Sequence, residues 1–272
     1  MRIYHHTLIA VCFTLSAYAG SATADEQSPA IDRCSPVSVE IDPSSPITSA
    51  QAAAVRVSGS ARDLLMALGN DRREKLRGLL ERGANPNVCV LGMSLLGLSV
   101  TTGDIEEVSL LLNAGANVDS PRDADGGTPL LHAIESQQLT VARLLLERGA
   151  NPAYTTDGGT SALHALTILS LSIDSTKRAL RLELLRALLQ ANGHVDGRAG
   201  ANQSTPLMLA ALSGDADVVR LLLAFGANPA IRNARGLTAS DFARRKNLVE
   251  IANLIDAQAA KAGRETDASL RH

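Results

Sequence analysis

The chain has 272 residues, of which 45% are hydrophobic and 2% aromatic, with no tryptophan, and its formal net charge is −2. This length suits one sizeable domain or an extended solenoid, and the core has to be built from Leu, Ala, Val and Ile. The near-neutral charge gives no indication of a nucleic acid or an anionic membrane as partner.

Residues 1–24 have the organisation of a secretory signal. Arg2 precedes an apolar run from Leu8 to Leu15, and small residues then lead to Ala22-Thr23-Ala24. We expect cleavage near Ala24, with Ala17-Tyr18-Ala19 as a second candidate, because an A-x-A-like motif marks the cleavage site. The apolar run is too short to span a bilayer. The sequence therefore predicts export to a periplasm, or secretion, and no membrane span.

Residues 25–58 contain four prolines among Ser, Asp and Ala, which predicts a flexible leader. This leader holds Cys34, and Cys89 is the other cysteine that remains once the signal is removed. In an oxidising compartment an even pair favours a disulfide. That bond would close a loop of about 55 residues and stabilise the fold by about 4 kcal/mol in the loop-entropy treatment. Two unrelated thiols are the alternative.

Residues 59–257 contain a recurring motif in which a Leu-Leu pair is followed by Gly-Ala-Asn. A Gly, or next best an Asn, suits the left-handed residue that ends a helix. The residues at this end position are separated by 32, 34, 43 and 34 residues, counted along Gly83, Gly115, Gly149, Asn192 and Gly226. The spacing predicts a tandem repeat in which each unit closes with a capped helix.

A first helix is predicted ahead of each capped helix. Thr128-Pro129, Thr160-Ser161 and Thr205-Pro206 each precede a short apolar run. Thr caps a helix and Pro is tolerated at its first position. One such helix–turn–helix unit cannot bury both apolar faces alone, so each unit needs neighbours.

With a period of about 33 residues, a Thr-Pro-Leu opening and a Gly-Ala-Asn close, the chain resembles the ankyrin-repeat family. The resemblance implies an all-α fold, an ankyrin-type helix–turn–helix solenoid of about five to six repeats with short hairpin turns. The predicted repeats are 60–88, 91–119, 123–152, 156–196, 201–228 and 236–256, and a disordered tail is expected at 258–272.

The fourth repeat is predicted to be irregular, because it is about ten residues longer than its siblings. The insertion is either a loop on the binding face, as insertions in repeats often are, or an elongated helix pair with its own packing.

The family's His after Thr-Pro-Leu corresponds in our alignment to Leu131, Leu163 and Met208, with His132 and His164 one place later. This alignment puts the two histidines at equivalent positions. It also predicts that apolar packing replaces the polar link which this His makes between repeats in the family.

No catalytic set, cofactor site or metal site is predicted. His132 and His164 have no Cys or carboxylate in the same repeat register, and no Ser, His and acid fall in phase. We therefore expect a non-enzymatic protein. An enzyme with a site in the irregular fourth repeat is the weaker alternative.

The resemblance implies that a protein partner is bound by the tips between repeats and the exposed side of the first helices. Apolar residues near the middle of this mixed surface suit a protein partner better than a small polar substrate. The candidate residues are Arg122, Asp125, Glu135, Asp157, Ile168, Asn202, Leu212, Arg235 and Arg245.

The expected function is a protein-interaction scaffold of the periplasm that binds its partner, as a monomer, through the concave face of the solenoid. An inhibitor or immunity-type protein that neutralises a toxin or enzyme in that compartment is the alternative. A nucleic-acid partner is not expected, since nothing in the charge indicates one.

Overall fold

The computed structural model describes residues 64, 67, 73–90, 93–120, 126–169, 175–191 and 193–269. The predicted signal at 1–24 and the leader at 25–58 lie outside these residues. So do Cys34, Arg122 and Asp125.

Eleven helices and one two-stranded hairpin make up the described part of the chain. The hairpin pairs β1 (Cys89–Val90) with β2 (Met93–Ser94) in antiparallel register, so that Cys89 lies opposite Ser94. The helices are α1 (Arg73–Glu81), α2 (Leu95–Thr102), α3 (Ile105–Asn113), α4 (Pro129–Glu135), α5 (Leu139–Glu147), α6 (Ala162–Ile168), α7 (Ser175–Gln190), α8 (Pro206–Ser213), α9 (Ala216–Ala224), α10 (Ala239–Arg245) and α11 (Val249–Ser269).

The helices form two stacked layers, which confirms the predicted all-α solenoid. The first helices α2, α4, α6, α8 and α10 each pack on the next one along the chain. In the second layer, α1, α3, α5 and α7 pack in the same order, and α9 packs on α11. Each repeat therefore buries its apolar faces against its neighbours, as repeat architectures require.

Local capping signals determine where the first helices begin. The side-chain oxygen of each N-cap residue accepts a hydrogen bond from the backbone N–H three residues later, which satisfies a donor that the helix leaves unpaired. The N-cap residues are Ser94, Thr128, Ser161, Thr205 and Thr238. Pro129 and Pro206 occupy the first helical turn, as the sequence predicted.

Most second helices end at a left-handed glycine. Gly83, Gly115, Gly149 and Gly226 have φ between 83° and 89°, and a side chain would be strained there. The residue after each glycine donates its N–H back to the helix, as Ala150 does to the Leu145 carbonyl at 2.9 Å. In the fourth repeat Gly193 makes the equivalent bond to Leu188 at 2.8 Å.

A ladder of side-chain hydrogen bonds joins the loops that follow the second helices. The accepting side chain is an Asn or Asp that lies two residues after the Asn of the Gly-Ala-Asn motif, or after the residue in its place. The donor is the backbone N–H of the motif Asn in the next repeat. The bonds run from Asn117 to Asn87 at 2.7 Å, from Asn151 to Asp119 at 3.0 Å and from Asn228 to Asp196 at 2.9 Å. Ala153 occupies the accepting position ahead of the fourth repeat, so that junction lacks this bond.

Leu and Ala build the core, as the composition required. Leu95, Leu145, Leu163, Leu185 and Leu222 have no exposed surface, and they belong to a single cluster that runs through all the repeats. The small side chains let neighbouring helices approach closely. No helix among the described residues is both long enough and apolar enough to cross a bilayer.

The structure corrects the predicted disordered tail over 258–269, and residues 270–272 lie outside the described part of the chain. Helix α11 continues from Val249 to Ser269, well beyond the end of the sixth repeat. The segment after Asp256 is rich in Ala, Gln, Lys, Arg and Glu, which are strong helix formers. High intrinsic propensity therefore extends the helix past the part that repeat packing requires.

The fourth repeat is an elongated helix pair. Its second helix α7 spans 16 residues, whereas α5 and α9 span nine each. Most of the extra chain length is therefore in the helix. Residues 170–174, which precede α7, lie outside the described part of the chain.

Candidate protein-binding surface

One side chain on every first helix repeats in register and points away from the core. Counting seven residues from the N-cap gives Thr101, Glu135, Ile168, Leu212 and Arg245. Four of these are exposed and Thr101 is half-buried. We call this set the first-helix column. Because the first helices stack, these side chains come from neighbouring helices of one layer.

The middle of the first-helix column is apolar. Ile168 is 55% exposed and Leu212 is 41% exposed, on the stacked helices α6 and α8. Half-buried Ala165, Leu209 and Phe242 lie one turn earlier on α6, α8 and α10. Among the described residues, Ile105, Phe225 and Val249 are the other exposed large hydrophobic residues, and they lie at the ends of second helices. Ile168 and Leu212 are the two that lie on adjacent first helices, and adjoining exposed apolar side chains are typical of protein-contact surfaces.

The tips between repeats are joined to each other through their backbones. The Gly200 N–H donates to the Gly158 carbonyl at 2.7 Å, and the Ala234 N–H donates to the Asn202 carbonyl at 2.9 Å. Gly159, with φ of 77°, is needed here, since a Cβ would lie 2.5 Å from the Arg198 carbonyl oxygen. The tips of repeats four to six therefore form one continuous edge.

The predicted tip residues of this edge are open to solvent. Asp157, Asn202 and Arg235 are exposed on the tips of repeats four, five and six. Arg122 and Asp125 were predicted for the preceding tip, and they lie outside the described residues. Of the nine candidate residues, the structure therefore places seven on exposed positions of the tips or the first-helix column.

Charge is distributed unevenly along this surface. Glu135, whose carboxylate lies 3.4 Å from the His132 ring, is on the N-terminal side of the apolar pair. Asp157 adds a second negative charge on that side. Beyond Leu212 the exposed charges are cations: Arg198, Arg232, Arg235, Arg245 and Lys246.

A buried arginine that the sequence reasoning missed holds the central helix of this surface in place. Arg181 on α7 is only 1% exposed. Its guanidinium donates to the Leu166 carbonyl at 2.9 Å and to the Thr167 carbonyl at 3.2 Å. These are unpaired carbonyls of the last turn of α6, immediately before Ile168.

Arg181 also donates to the Asp215 carboxylate at 2.9 Å. Asp215 is 2% exposed and is the N-cap of α9, where its other oxygen accepts from the Asp217 and Val218 backbone N–H groups. Half-exposed Arg178 adds a contact of 2.7 Å to Asp217. Burial lowers the pKa of Arg181, and Asp215 opposes that effect.

This arrangement explains how α6 ends without a glycine. The first helices α2 and α8 close on left-handed Gly103 and Gly214, but α6 closes on Leu169 with φ of −51°. The Arg181 cation supplies the missing cap at the negative end of the helix dipole. A sequence signal existed, because Arg181 lies in the apolar stripe of α7, three, four and seven residues before Leu184, Leu185 and Leu188.

The predicted alignment of the two histidines is wrong. The N-cap of α6 is Ser161 rather than Thr160, so His164 is the third residue after the cap and occupies the position of Leu131 and Met208. His132 is one place later in its own helix. The sequence pattern favours Thr160 as the cap because Thr occupies that place in the third and fifth repeats, but Ser161 makes the capping bond.

His164 provides the polar link that the sequence alignment had replaced by apolar packing. Its Nε2 lies 3.0 Å from the Gly197 carbonyl of the next tip, so Nε2 carries the proton. Its Nδ1 accepts from the Ser161 hydroxyl at 2.8 Å and from the Ser161 backbone N–H at 3.3 Å. Burial lowers the pKa of His164 despite its bonds to backbone groups, which favours the neutral ring.

The described residues contain no group of three or more His, Cys, Asp or Glu placed to hold a metal ion. Cys89 belongs to strand β1, and its proposed disulfide partner Cys34 lies outside the described residues. The pairing of these two cysteines therefore remains a prediction.

Comparison with known proteins identifies the repeats. A sequence model described as ankyrin repeats in three copies matches residues 64–156, and one described as ankyrin repeats in many copies matches residues 188–243. The unmatched stretch between them, 157–187, contains α6 and most of α7. The matched parts are thus the regular repeats on either side of the insertion.

Named relatives share only part of their length with this chain. The B-cell lymphoma 3 protein homolog of Mus musculus is 36% identical over 129 residues, which is 47% of this chain and 26% of that protein. The mitochondrial disaggregase of Bos taurus is 28% identical over 175 residues, 62% of this chain and 24% of that protein. The phosphocholine transferase AnkX of Legionella pneumophila is 27% identical over 138 residues, 51% and 14% respectively. The chain thus spans about a quarter or less of each.

Proposed function

This chain belongs to the ankyrin-repeat family, and we propose that it is a non-enzymatic scaffold that binds a protein partner through the concave face of its solenoid. Repeats of this kind present extended surfaces for protein interaction. The observation that carries the proposal is the exposed apolar pair, Ile168 and Leu212, at the centre of the first-helix column. Apolar anchors near the middle of an interface carry most of its energy.

The buried polar groups at the junction of the fourth and fifth repeats support a binding role over catalysis. Arg181 and Asp215 are bonded to each other and to helix ends, and His164 is bonded to Ser161 and Gly197. None of these groups is left over for a substrate. The proposal therefore assigns no catalytic residue and no cofactor to the chain.

We further propose that the protein acts outside the cytoplasm, after removal of residues 1–24. The support is the signal-like pattern of that segment, with its short apolar run and the Ala22-Thr23-Ala24 motif. N-terminal sequencing of the protein from the periplasmic and medium fractions should give Asp25 as the first residue. A cytosolic protein that retains Met1 would overturn both the location and the disulfide between Cys34 and Cys89.

The binding proposal is tested by capture from extract of the compartment in which the protein is found. The bait is the chain from Asp25, immobilised at its C-terminus, and the captured partner is then titrated by calorimetry. Ile168→Asp should abolish capture, because it places a charge at the apolar centre. Its matched control is Val249→Asp, since Val249 is 63% exposed but begins the second helix α11.

Charge reversals give the second arm of this test. Reversal at Asp157 and Arg235 on the tips, together with Arg122, which the sequence predicts for the preceding tip, should weaken binding and leave the melting temperature almost unchanged, since exposed charges contribute little to folding. Reversal at Arg77 and Arg143, which are 49% exposed on second helices, should leave binding intact. If the second-helix set abolishes binding and the tip set has no effect, the concave-face assignment fails.

A further inference from the structure

We propose that the segment bound on this face is an acidic peptide segment of the partner protein, with an apolar anchor on Ile168 and Leu212 and Asp or Glu residues running toward the sixth repeat. The acidic residues would pair with what we call the cationic end, which consists of Arg198, Arg232, Arg235, Arg245 and Lys246. This inference rests on the proposed function, because it takes the first-helix column and the tips as the binding surface.

The cationic end is exposed, and among the described residues none of its five members has a carboxylate within 4.0 Å. Arg232 lies near enough to Asp241 to help lower the pKa of that carboxyl, so the other four members are the more available charges. The neighbouring Arg244 differs, because it is paired with Asp256 and lies 3.8 Å from Asp241. Carboxylates of the solenoid thus neutralise Arg244, whereas the adjacent Arg245 and Lys246 have no carboxylate of the described residues within 4.0 Å.

Backbone carbonyls hold two of these cations in place. Arg198 donates to the Arg232 carbonyl at 3.3 Å, and Arg232 donates to the Gly236 carbonyl at 2.8 Å. A carbonyl orients a guanidinium without cancelling its charge. Since a guanidinium has five donors, both side chains retain N–H groups for a bidentate carboxylate.

The cations adjoin the apolar centre. Arg198 lies on the tip of the fifth repeat, whose first helix carries Leu212, and this tip is bonded through Asn202 to the tip that carries Arg235. Arg245 is the next member of the first-helix column after Leu212. A segment seated on the apolar pair and extended by one repeat therefore reaches the cationic end.

The other end of the surface has the opposite sign. Glu135 precedes Ile168 in the first-helix column, and Asp157 lies on the tip of the fourth repeat. Carboxylates of the ligand placed there would be repelled, so the charge gradient selects one direction of binding. The whole chain has a formal net charge of −2, so the cationic end is a local feature and not a reflection of overall charge.

The same chemistry disfavours a nucleic acid. Proteins that bind single strands stack bases on aromatic side chains. Here aromatic residues make up 2% of the chain, and the centre of the surface consists of Ile168 and Leu212. Aliphatic side chains beside a few cations suit an anchor residue flanked by carboxylates.

The proposal is tested by selecting phage-displayed random peptides on the chain from Asp25. Peptides that bind the parent chain should contain a large apolar residue followed or preceded on one side by Asp or Glu. A synthetic fluorescein-labelled copy of the selected peptide should bind more weakly as NaCl rises from about 50 to about 300 mM, because screening weakens exposed ion pairs.

The decisive variant is Arg235→Glu/Arg245→Glu/Lys246→Glu. It should weaken binding of the labelled peptide at least about tenfold, which is about 1.4 kcal/mol of binding free energy. In a fresh selection it should enrich Lys or Arg where the parent enriched Asp or Glu. The matched control Arg77→Glu/Arg143→Glu/Arg220→Glu reverses three exposed arginines of second helices and should leave affinity unchanged.

Different results overturn different statements. If Ile168→Asp abolishes binding but the selected peptides lack acidic residues, the face is right and the acidic partner is wrong. If the peptides bind Ile168→Asp and Leu212→Asp as well as the parent, the proposed function itself fails, and selection of no peptide counts against both. If a single-stranded oligonucleotide of about 20 nucleotides binds as tightly as the peptide and loses affinity in the charge-reversed variant, the ligand is a nucleic acid.

Discussion

The fourth and fifth repeats solve the same structural problem in different ways. In the fifth, α8 ends on Gly214, which adopts φ of 81° and lets the chain turn directly into α9. In the fourth, α6 ends on Leu169, and the buried Arg181 of the elongated α7 satisfies its last carbonyls. The fifth repeat therefore ends its first helix with a left-handed glycine, and the fourth repeat ends it with a buried arginine side chain.

The two kinds of helix end should respond differently to mutation. A glycine cap contributes only through the local backbone conformation, so replacing the glycine should cost a modest amount of stability. A buried ion pair contributes little compared with well-packed apolar residues, but removal of one partner leaves the other charge uncompensated. The fourth repeat is therefore the more vulnerable one, and it also presents Ile168 at the centre of the candidate surface.

Arg181→Met should have the largest effect on stability. It leaves the Asp215 carboxylate and the Leu166 and Thr167 carbonyls buried without their partner, which should cost about 3–5 kcal/mol in denaturant titration. Arg178→Met is the control, because Arg178 is half-exposed and should cost about 1 kcal/mol or less. Similar costs for the two variants would mean that the buried network does not hold the junction.

The pairwise part of this effect can be isolated with Asp215→Asn, which removes the charge but keeps a good N-cap. The double variant Arg181→Met/Asp215→Asn should lose less stability than the sum of the single changes, with a coupling of about 0.5–3 kcal/mol. Strict additivity would show that Arg181 acts through the α6 carbonyls alone.

Leu145→Ala and Leu222→Ala probe the regular repeats on either side of the insertion. Both side chains are fully buried, so each change should destabilise the fold by about 2–5 kcal/mol. The measurement is again denaturant titration. A change below about 1 kcal/mol would be inconsistent with the stacked positions of these residues.

Gly214→Ala sharpens the contrast between the two helix ends. A side chain at a left-handed position should cost about 1–2 kcal/mol. The new Cβ would also lie 3.2 Å from the Leu248 side chain, so that side chain has to shift. Thermal unfolding of the variant is the test, with Gly158→Ala as the control, since Gly158 is not left-handed and its Cβ would make only an ordinary contact of 3.8 Å with the Thr156 hydroxyl. Equal stability of both variants would remove the role assigned to Gly214.

The pH dependence of His164 is the smallest of these effects. Burial lowers the pKa of His164 in the folded protein below its ordinary value of 6.5, so the unfolded chain binds the proton more readily. The stability that neutral His164 contributes is fully present above pH 6.5, and it is lost as the pH falls through the lower pKa of the folded protein. His164→Met places the residue of the equivalent position in the fifth repeat, Met208, in the fourth. It should remove this contribution to the dependence of melting temperature on pH between about pH 5 and 7. An unchanged slope would assign the dependence to another group.

Much of the fold was predictable because its signals are local. Thr128, Thr205 and their prolines start helices, and Gly83, Gly115, Gly149 and Gly226 end them, all within a few residues of the bonds they determine. The candidate surface followed from the same register. Seven of its nine residues lie on exposed positions, and whether they bind a partner is left to the experiments above.

Two predictions were wrong, one because it relied on residue type and the other because it relied on position in the chain. Thr160 resembled a cap, but Ser161 makes the bond, and this one-residue shift concealed the link from His164 to Gly197. The segment after Asp256 resembled a frayed tail because it lies beyond the repeats, whereas its helix-forming residues continue α11 to Ser269.

The sequence by itself determined the repeat, the positions of the helices and the apolar core, since periodicity and capping depend on residues less than about two turns apart. Only the tertiary structure decided what the insertion does. Arg181 lies in the apolar stripe of α7, and its role as a helix cap depends on partners far away in the sequence. These are Asp215, 34 residues away, and two carbonyls 14 and 15 residues away. A charge can remain buried only where its partners converge, and that convergence arises from the stacking of repeats.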